Sequence, residues 1–354
     1  MIDFINIAGY KSIKNYNIPI RPINILIGAN GSGKSNFVSF FEFLNFMSNR
    51  KLKEYVGMRG GEDKLLYNGS KHTQEISFEL SFDNAKNGYK ATLKLGDAGF
   101  IVQNEYLVYM NNNGRNIASY GPEANIKSTD NYRAKYVIGF LNSLRKYHFH
   151  DTSKNSPFTN VSQKDIDSLY LYEDGRNLAA FLYSVHEAHK IVYNRIIKTI
   201  QSIAPYFSDF FFQPDVNGGI RLLWQDKFSD TIYGANNFSD GTMRFIALAT
   251  LFLQPYLPST IIIDEPELGL HPFAITKLAG MIKSVASRGS QVIIATQSAD
   301  LVNHFDAEDI IVVDHIHGET HFRRLESSVL AEWLDDYSIG ELWQRNMIQG
   351  GQPK

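Results

Sequence analysis

The sequence predicts an α/β fold: a parallel sheet wound around a phosphate-binding loop, with an antiparallel β subdomain and a helical insertion. Three observations carry this prediction. The apolar run INILI leads into the glycine loop GANGSGKSN at 28–36 and then into a helical pattern. Two further β-branched runs, TIIID ending at Asp264 and QVIIAT ending at Thr296, each open into a polar loop, the first followed by helical spacing. Between these blocks, residues 75–110 alternate apolar and polar side chains with Asp-Asn and Gly punctuation, the signature of an antiparallel meander.

The elements follow in order. Strands at 2–8 and 23–28 are joined by GYKSIKNYNIP. Phe37, Phe40, Phe41, Leu44 and Phe46 then recur with helical spacing, and this aromatic face reads as core rather than as a cofactor box. The meander is EISFELSF, GYKATLKL and FIVQNEYLVYM, and the Asn-, Gly- and Ser-rich stretch 111–130 reads as a loop. Helical patterns cover 132–147 and 177–203, and strands return at 208–213 and 219–225, with DFFFQPD as a core strand. Helix 240–253, strand 260–264, helix 273–286, strand 291–296 and strand 309–313 complete a crossover-connected parallel sheet. Trp333, Leu334, Tyr337, Ile339, Leu342 and Trp343 mark a C-terminal helix, either packed on the body or docking a partner. The last residues, GGQPK, are expected to fray. The domain division is 1–130, 131–205, 206–335 and 336–354.

Bulk properties narrow the class. The chain has 354 residues, 44% hydrophobic, enough for one large core or two modest ones. A net charge of −2 means that any nucleic-acid contact needs a local patch that the total hides. There are no cysteines, which removes disulfides and Cys-based zinc sites and fits a cytoplasmic protein. No apolar run approaches the ~18 residues of a membrane span, so no membrane role is expected, and MIDFINIAGYKS lacks the character of a signal peptide. No internal repeat appears, and sustained heptads, hence long coiled-coil arms, are missing.

The glycine loop has the spacing G-x-x-x-x-G-K-[ST] with a strand before it and a helix after it. Gly28, Gly31 and Gly33 let the backbone N–H groups of Asn30, Gly31, Ser32 and Gly33 curl toward a β-phosphate, helped by the helix N-terminus. Lys34 places a compact charge by the β- and γ-phosphates, Ser35 offers a hydroxyl to Mg²⁺, and Asn36 starts the helix. TIIIDEP is a buried strand ending in two carboxylates: Asp264 to hold Mg²⁺, and Glu265 to orient or deprotonate the attacking water. The expected cofactors are therefore ATP and Mg²⁺.

At GYKSI, GANGSGKSN, EPELGLHP and ATQS the chain resembles the SMC/RecF/OLD branch of ABC ATPases. YHFHDTS, EDGRNLAAFLY and WLDDYSIGELW look like stand-alone OLD-like ATPases of bacteria. The resemblance covers nearly the whole chain and implies an ABC-type head. It makes FSDGTMR the signature motif, in which Ser239 and the Gly241 N–H face the γ-phosphate held by the other subunit, so that two copies sandwich ATP as a homodimer. Gln297 stands where many relatives carry histidine; it can hydrogen-bond but cannot carry a proton, leaving Glu265 to act alone as base. Glu267 and His271 fall in the loop expected to contact the partner's site, and RGGEDKLLYNG (59–69) is the region assigned to the glutamine loop.

The resemblance leaves three roles open: a sensor ATPase of an anti-phage system, a DNA repair or maintenance ATPase, and a scaffold whose ATP is structural. Too few residues follow the switch strand for a Toprim nuclease domain. A nuclease effector, Toprim-type or other, is therefore expected as a separate chain. His148, His150 and Asp151 allow either a metal-site reading or a polar strand end, Arg323 and Arg324 read as a solvated edge strand, and Lys51, Lys53 and Arg59 are the residues placed to touch DNA.

Overall fold

The computed structural model describes residues 1–110, 112–348 and 350. The chain opens with strands β1 (Ile2–Tyr10), β2 (Ile13–Pro19) and β3 (Ile23–Ile27), then helices α1 (Lys34–Ser48) and α2 (Leu52–Met58). Strands β4 (Glu75–Phe82), β5 (Asn87–Gly96), β6 (Gly99–Tyr109) and β7 (Asn112–Asn113) precede helix α3 (Tyr132–Asn142) and strand β8 (Leu144–Tyr147). A middle stretch holds β9 (Ser162–Gln163), α4 (Leu178–Ala188), α5 (Lys190–Gln201), β10 (Phe207–Phe211), β11 (Gly219–Ile220), β12 (Leu223–Asp226) and β13 (Ile232–Gly234). Then come α6 (Asp240–Leu253), β14 (Thr260–Asp264), α7 (Pro272–Ser287), β15 (Gln291–Thr296) and α8 (Ala299–Val302). The described chain closes with β16 (Ile310–Ile316), β17 (Glu319–Arg324), α9 (Ser327–Leu334) and α10 (Ile339–Gln344).

Two compact units result: 1–146, 258–262 and 289–354 form the first, and 147–257 with 263–288 the second. The first carries two six-stranded sheets, ordered β2-β1-β4-β5-β6-β7 and β17-β16-β3-β15-β14-β8. In the latter, β3 pairs in parallel with β15 (Ile25 opposite Ile294) and with β16 (Leu26 opposite Ile311). Every residue of β3 is buried, as its unbroken apolar run requires for a strand covered on both faces. Helix α1 buries Phe37, Phe40, Phe41 and Leu44 as expected; Phe43 is the further buried aromatic, while Phe46 is only partly covered. Phe40 lies 5.5 Å from both Tyr10 and Phe78, ring to ring, so the aromatic face is core.

Several local expectations change. The link GYKSIKNYNIP contains β2, which pairs antiparallel with β1 after a turn at Lys11 (φ 51°). The helix expected over 132–147 ends at Asn142, and Leu144–Tyr147 joins the sheet edge instead. Within the expected loop, the stretch 112–130 is tied down by buried Glu105, which accepts hydrogen bonds from Tyr89 Oη (2.8 Å) and the N–H groups of Asn125 (2.7 Å) and Ile126 (3.0 Å). Burial raises the Glu105 pKa above its ordinary value. The C-terminal helical region is two helices, the second opened by a capping box between Ser338 and Glu341. Leu342 and Trp343 are buried, whereas Trp333 is 47% exposed. Gly350 is held by Asp314 Oδ1 (2.7 Å) and by Trp343 Nε1 (2.8 Å), while the rest of the tail expected to fray lies outside the described residues.

In the second unit the helix expected over 177–203 is two helices, because His189 (φ −136°, ψ 55°) leaves helical space between α4 and α5. The stretch 219–225 also divides: β11 pairs with β9, and β12 with β10 and β13. Phe207 and Phe210 are buried with Trp224 and Phe238, so this is a core strand. Among the described residues no helix is long and apolar enough to cross a membrane.

Candidate nucleotide-binding site

In the first unit, β3 ends at Ile27 and the loop 28–33 delivers the chain to α1, whose first residue is Lys34; Asn36 is therefore the third residue of the helix rather than its start. Gly31 (φ 78°) and Gly33 (φ 110°) adopt backbone geometry that side-chain-bearing residues resist. A Cβ on Gly33 would stand 2.1 Å from Thr320 Oγ1, and one on Gly28 2.2 Å from the Val313 carbonyl. No side chain caps the N-terminus of α1, which leaves its first N–H groups for an anion. The Ser32 hydroxyl is buried and has no hydrogen-bond partner among the described residues. Lys34 is 6% exposed and donates to the carbonyls of Gly28 (2.7 Å) and Ala29 (3.0 Å). Ser35, Asn30 and Gly31 are exposed. An uncapped helix start, close-packed glycines and an orphaned hydroxyl fit a phosphate chain, and a neighbouring exposed Ser35 hydroxyl fits a hard cation bound with it.

The loop is braced from behind. Asn36 Nδ2 donates to Ser12 Oγ (2.6 Å), and Thr320 Oγ1 lies 2.7 Å from Ser12 Oγ and 3.0 Å from the Ser32 carbonyl oxygen. Ser12 and Thr320 escaped sequence reading, since they meet the loop only through β-strand pairing. Ser12 and Asn36 also line a groove of about 610 Å³ with Lys11, Arg59, Lys64 and His315. Burial, then the Arg59 charge, lower the Lys11 pKa to about 8. Its ammonium donates to Ser39 Oγ at 2.7 Å. The segment 59–69 contributes to this groove and contains no glutamine.

Gln297 follows β15 and is exposed. It shares a cavity of about 210 Å³ with Gly28, Ala29, Asn30, Trp343 and Gln344, so the glycine loop and Gln297 face one space within this unit. Trp343 and Gln344 at this cavity were not foreseen, the sequence offering only an apolar helix pattern there.

In the second unit, Asp264 is the last residue of β14 and Glu265 takes φ 45°. This left-handed backbone breaks strand alternation directly after Asp264. Ser239 N-caps α6, accepting from Thr242 N–H at 3.3 Å, and Gly241 packs so closely that a Cβ there would lie 2.3 Å from the Gly269 carbonyl. Arg244, unassigned from sequence, is 6% exposed. Its guanidinium donates to the carbonyls of Phe149 (3.0 Å), His150 (3.1 Å) and Leu268. Helix α6 thereby fixes the loop carrying Glu267, which is buried, and His271, whose Nδ1 caps α7 by accepting from Phe273 N–H (3.2 Å).

His148 and His150 lie beyond β8 rather than on a strand, exposed on either side of buried Phe149. Among the described residues no group of three His, Cys, Asp or Glu side chains is arranged to hold a metal. Arg324 is structural, donating to Pro19 O (2.8 Å), Glu308 O (2.8 Å) and Asn24 Oδ1 (2.6 Å); Arg323 on the same edge strand is exposed. Arg59 pairs with Glu42 (2.5 Å) and Lys51 with Glu54 (3.6 Å).

The mixed α/β fold, with its antiparallel sheet and helices, resembles an ABC-type ATPase head. The chain belongs to the family described as AAA domain, putative AbiEii toxin, Type IV TA system, whose model matches residues 23–303. It is 21% identical over 390 aligned positions to a DNA replication and repair protein RecF from Porphyromonas gingivalis, covering 99% of this chain and 100% of that one. Its fold is similar to an SMC head bound to the C-terminal winged-helix domain of ScpA (TM-score 0.63, 16% identity, 93% of this chain and 99% of that one). An SMC head with an extended coiled coil, bound to the C-terminal domain of ScpA derived from Pyrococcus furiosus, is also similar (TM-score 0.59, 16% identity, 95% and 99%). So is the SMC head domain from Thermotoga maritima (TM-score 0.51, 13% identity, 92% and 99%).

Proposed function

We propose that the chain is an ATP-driven switch that binds Mg-ATP, pairs with a second copy around it and resets by hydrolysis. The observation that carries this reading is the phosphate loop: uncapped helix, close-packed glycines, buried Lys34, and Gln297 on the same cavity. In this reading the loop N–H groups and Lys34 hold the phosphates, giving up the carbonyl contacts of Lys34 for phosphate oxygens. The groove beside Lys11 and Asn36 takes the nucleoside end. Ser35 and Asp264 are the residues that would hold Mg²⁺, which offsets phosphate charge when bound. Glu265 orients the attacking water and accepts its proton, and Gln297 hydrogen-bonds the water or the γ-phosphate. Ser239 and the Gly241 N–H act on the nucleotide of the other copy, and Glu267 and His271 lie in the loop nearest that copy.

The test is mass analysis of Glu265→Gln protein with and without Mg-ATP. A dimer that forms only with nucleotide supports the reading. An unchanged mass with no nucleotide retained sinks it. Retained turnover in this variant would remove Glu265 as base, and absent turnover in the wild type would favour a structural ATP and a scaffold.

Two client roles have separate support. The family's description as a putative toxin of a toxin–antitoxin system favours a defence role, with a stand-alone, OLD-like ATPase controlling a separate nuclease chain, Toprim-type or other. The RecF relative favours direct action on DNA. Co-purification of a nuclease chain from the native host supports the first; DNA-stimulated turnover supports the second.

A further inference from the structure

Helices α5 and α7 of the second unit carry a charge pattern that the net charge of the chain conceals. Neither KIVYNRIIKTIQ nor PFAITKLAGMIKSVAS contains an Asp or Glu, yet they present Lys190, Arg195, Lys198, Lys277 and Lys283, all exposed. Arg195, Lys198 and Lys277 line a groove of about 480 Å³ together with Asn194, Thr199 and Ser202. Among the described residues, Lys190, Arg195, Lys198 and Lys277 make no ion pair. The acids that flank α5 in sequence are engaged elsewhere, Glu187 with His186 (2.8 Å) and Asp209 with Tyr193 (2.5 Å).

Of the groove cations, Arg195 is anchored to the fold. Arg195 donates to the Leu253 carbonyl (3.4 Å) and Arg288 to that of Phe252 (2.9 Å), both in the last turn of α6. A helix C-terminus favours cations, which offsets part of the repulsion between the two. Gly280, mid-way along α7 on its exposed side, has open space where a Cβ would be.

We propose that this groove is a docking surface for the sugar–phosphate backbone of double-stranded DNA. Rows of Lys and Arg supply charge, and Asn194, Thr199 and Ser202 supply the short polar side chains that fix register on phosphates. No aromatic side chain lines the groove, so it has no stacking platform for the bases of a single strand. The proposal rests on the DNA-linked reading for its partner, and it is tested without nucleotide, so its failure leaves the ATPase reading standing.

The experiment measures binding of full-length protein to a labelled mixed-sequence DNA duplex across a salt series, for the wild type and for Lys198→Gln/Lys277→Gln. Lys198 makes no side-chain contact that the fold needs, and Lys277 only lies over the exposed Phe273 ring (5.3 Å), so both variants should fold. With a salt slope of ~0.9 per phosphate contact, losing two contacts lowers the slope by ~1.8 and weakens binding roughly 60-fold at ~0.1 M salt. Lys86→Gln/Lys135→Gln, two exposed lysines of the first unit, should keep the wild-type slope. The proposal is overturned if the wild type does not bind the duplex, if the two double variants behave alike, or if duplex RNA is preferred through the same lysines.

Discussion

The Thr320 hydroxyl sits 3.0 Å from the carbonyl oxygen of Ser32, a hydrogen bond from strand β17 to the phosphate loop across 288 positions of chain. The same hydroxyl lies 2.7 Å from Ser12 Oγ, and Thr320 is 1% exposed. The loop conformation is therefore set by the sheet edge behind it as well as by its own glycines. Thr320→Val keeps the shape and removes the hydroxyl. With a buried carbonyl left unpaired, the expected cost is about 1–3 kcal/mol. Thermal unfolding should show a lower midpoint, and Mg-ATP should raise that midpoint less than in wild type. Equal ATP stabilisation in both proteins would deny the brace any part in binding.

Ser239 caps α6, and in the proposed reading it also meets the nucleotide of a second copy. Aspartate caps a helix as well as serine does, whereas alanine loses about 0.5–2 kcal/mol. Ser239→Asp should therefore unfold at the wild-type temperature but lose ATP-dependent dimerisation, because it sets a carboxylate against phosphate. Ser239→Ala should show the reverse emphasis, with a lower melting point and a weaker, still detectable dimer. Dimerisation of Ser239→Asp at wild-type ATP concentrations would leave this serine with the cap alone.

Lys11 offers a pH-dependent probe of the groove. Its pKa falls from 10.5 to about 8 because burial and the neighbouring Arg59 charge disfavour the ammonium. Between those two values the unfolded chain holds more protons than the fold, so this group's contribution to stability rises with pH from about 8 and is lost as pH falls through it. A neutral amine is also the reactive form. Peptide mapping after brief amine acylation should find Lys11 modified ahead of exposed lysines such as Lys53, with a half-maximum near pH 8. Mg-ATP should protect it. Labelling that follows the other lysines, or that ignores Mg-ATP, would count against the groove as the nucleoside end.

What could be read from the chain was what short-range pattern specifies. Strands Thr260–Asp264 and Gln291–Thr296 fall where expected, each having an apolar core bounded by polar residues, and so does helix Asp240–Leu253, with Ser239 before it and a long apolar stretch from Phe245. The phosphate loop was legible for the same reason, its chemistry being written in nine consecutive residues. Ser12, Thr320 and Trp343 were not legible, since each reaches the loop or its cavity through tertiary pairing. The Thr320–Ser12 contact alone spans 308 positions. The break at His189 was missed because the apolar period runs through it, and only the backbone angles reveal two helices. Arg244 was quoted in its motif without a role, for its three carbonyl partners lie on segments that the motif does not contain.

In the proposed reading, Glu265 ties backbone strain to chemistry. A glutamate at φ 45° sits in backbone space that costs an L-residue with a Cβ about 1–2 kcal/mol, and glycine occupies it freely. If that geometry is kept to present the carboxylate to water, removing the side chain should improve the fold while ending the reaction. Glu265→Gly is therefore expected to unfold at a higher temperature, offset in part by the greater chain entropy of glycine when unfolded. It should also lose steady-state ATP turnover by two orders of magnitude or more, about the contribution of a positioned general base. Glu265→Gln keeps the strain and should melt like wild type while losing turnover to a similar degree. The pair separates the backbone effect from the carboxylate effect. A glycine variant less stable than the glutamine variant would mean that the side chain is held by contacts worth more than the strain, making Glu265 a structural residue first.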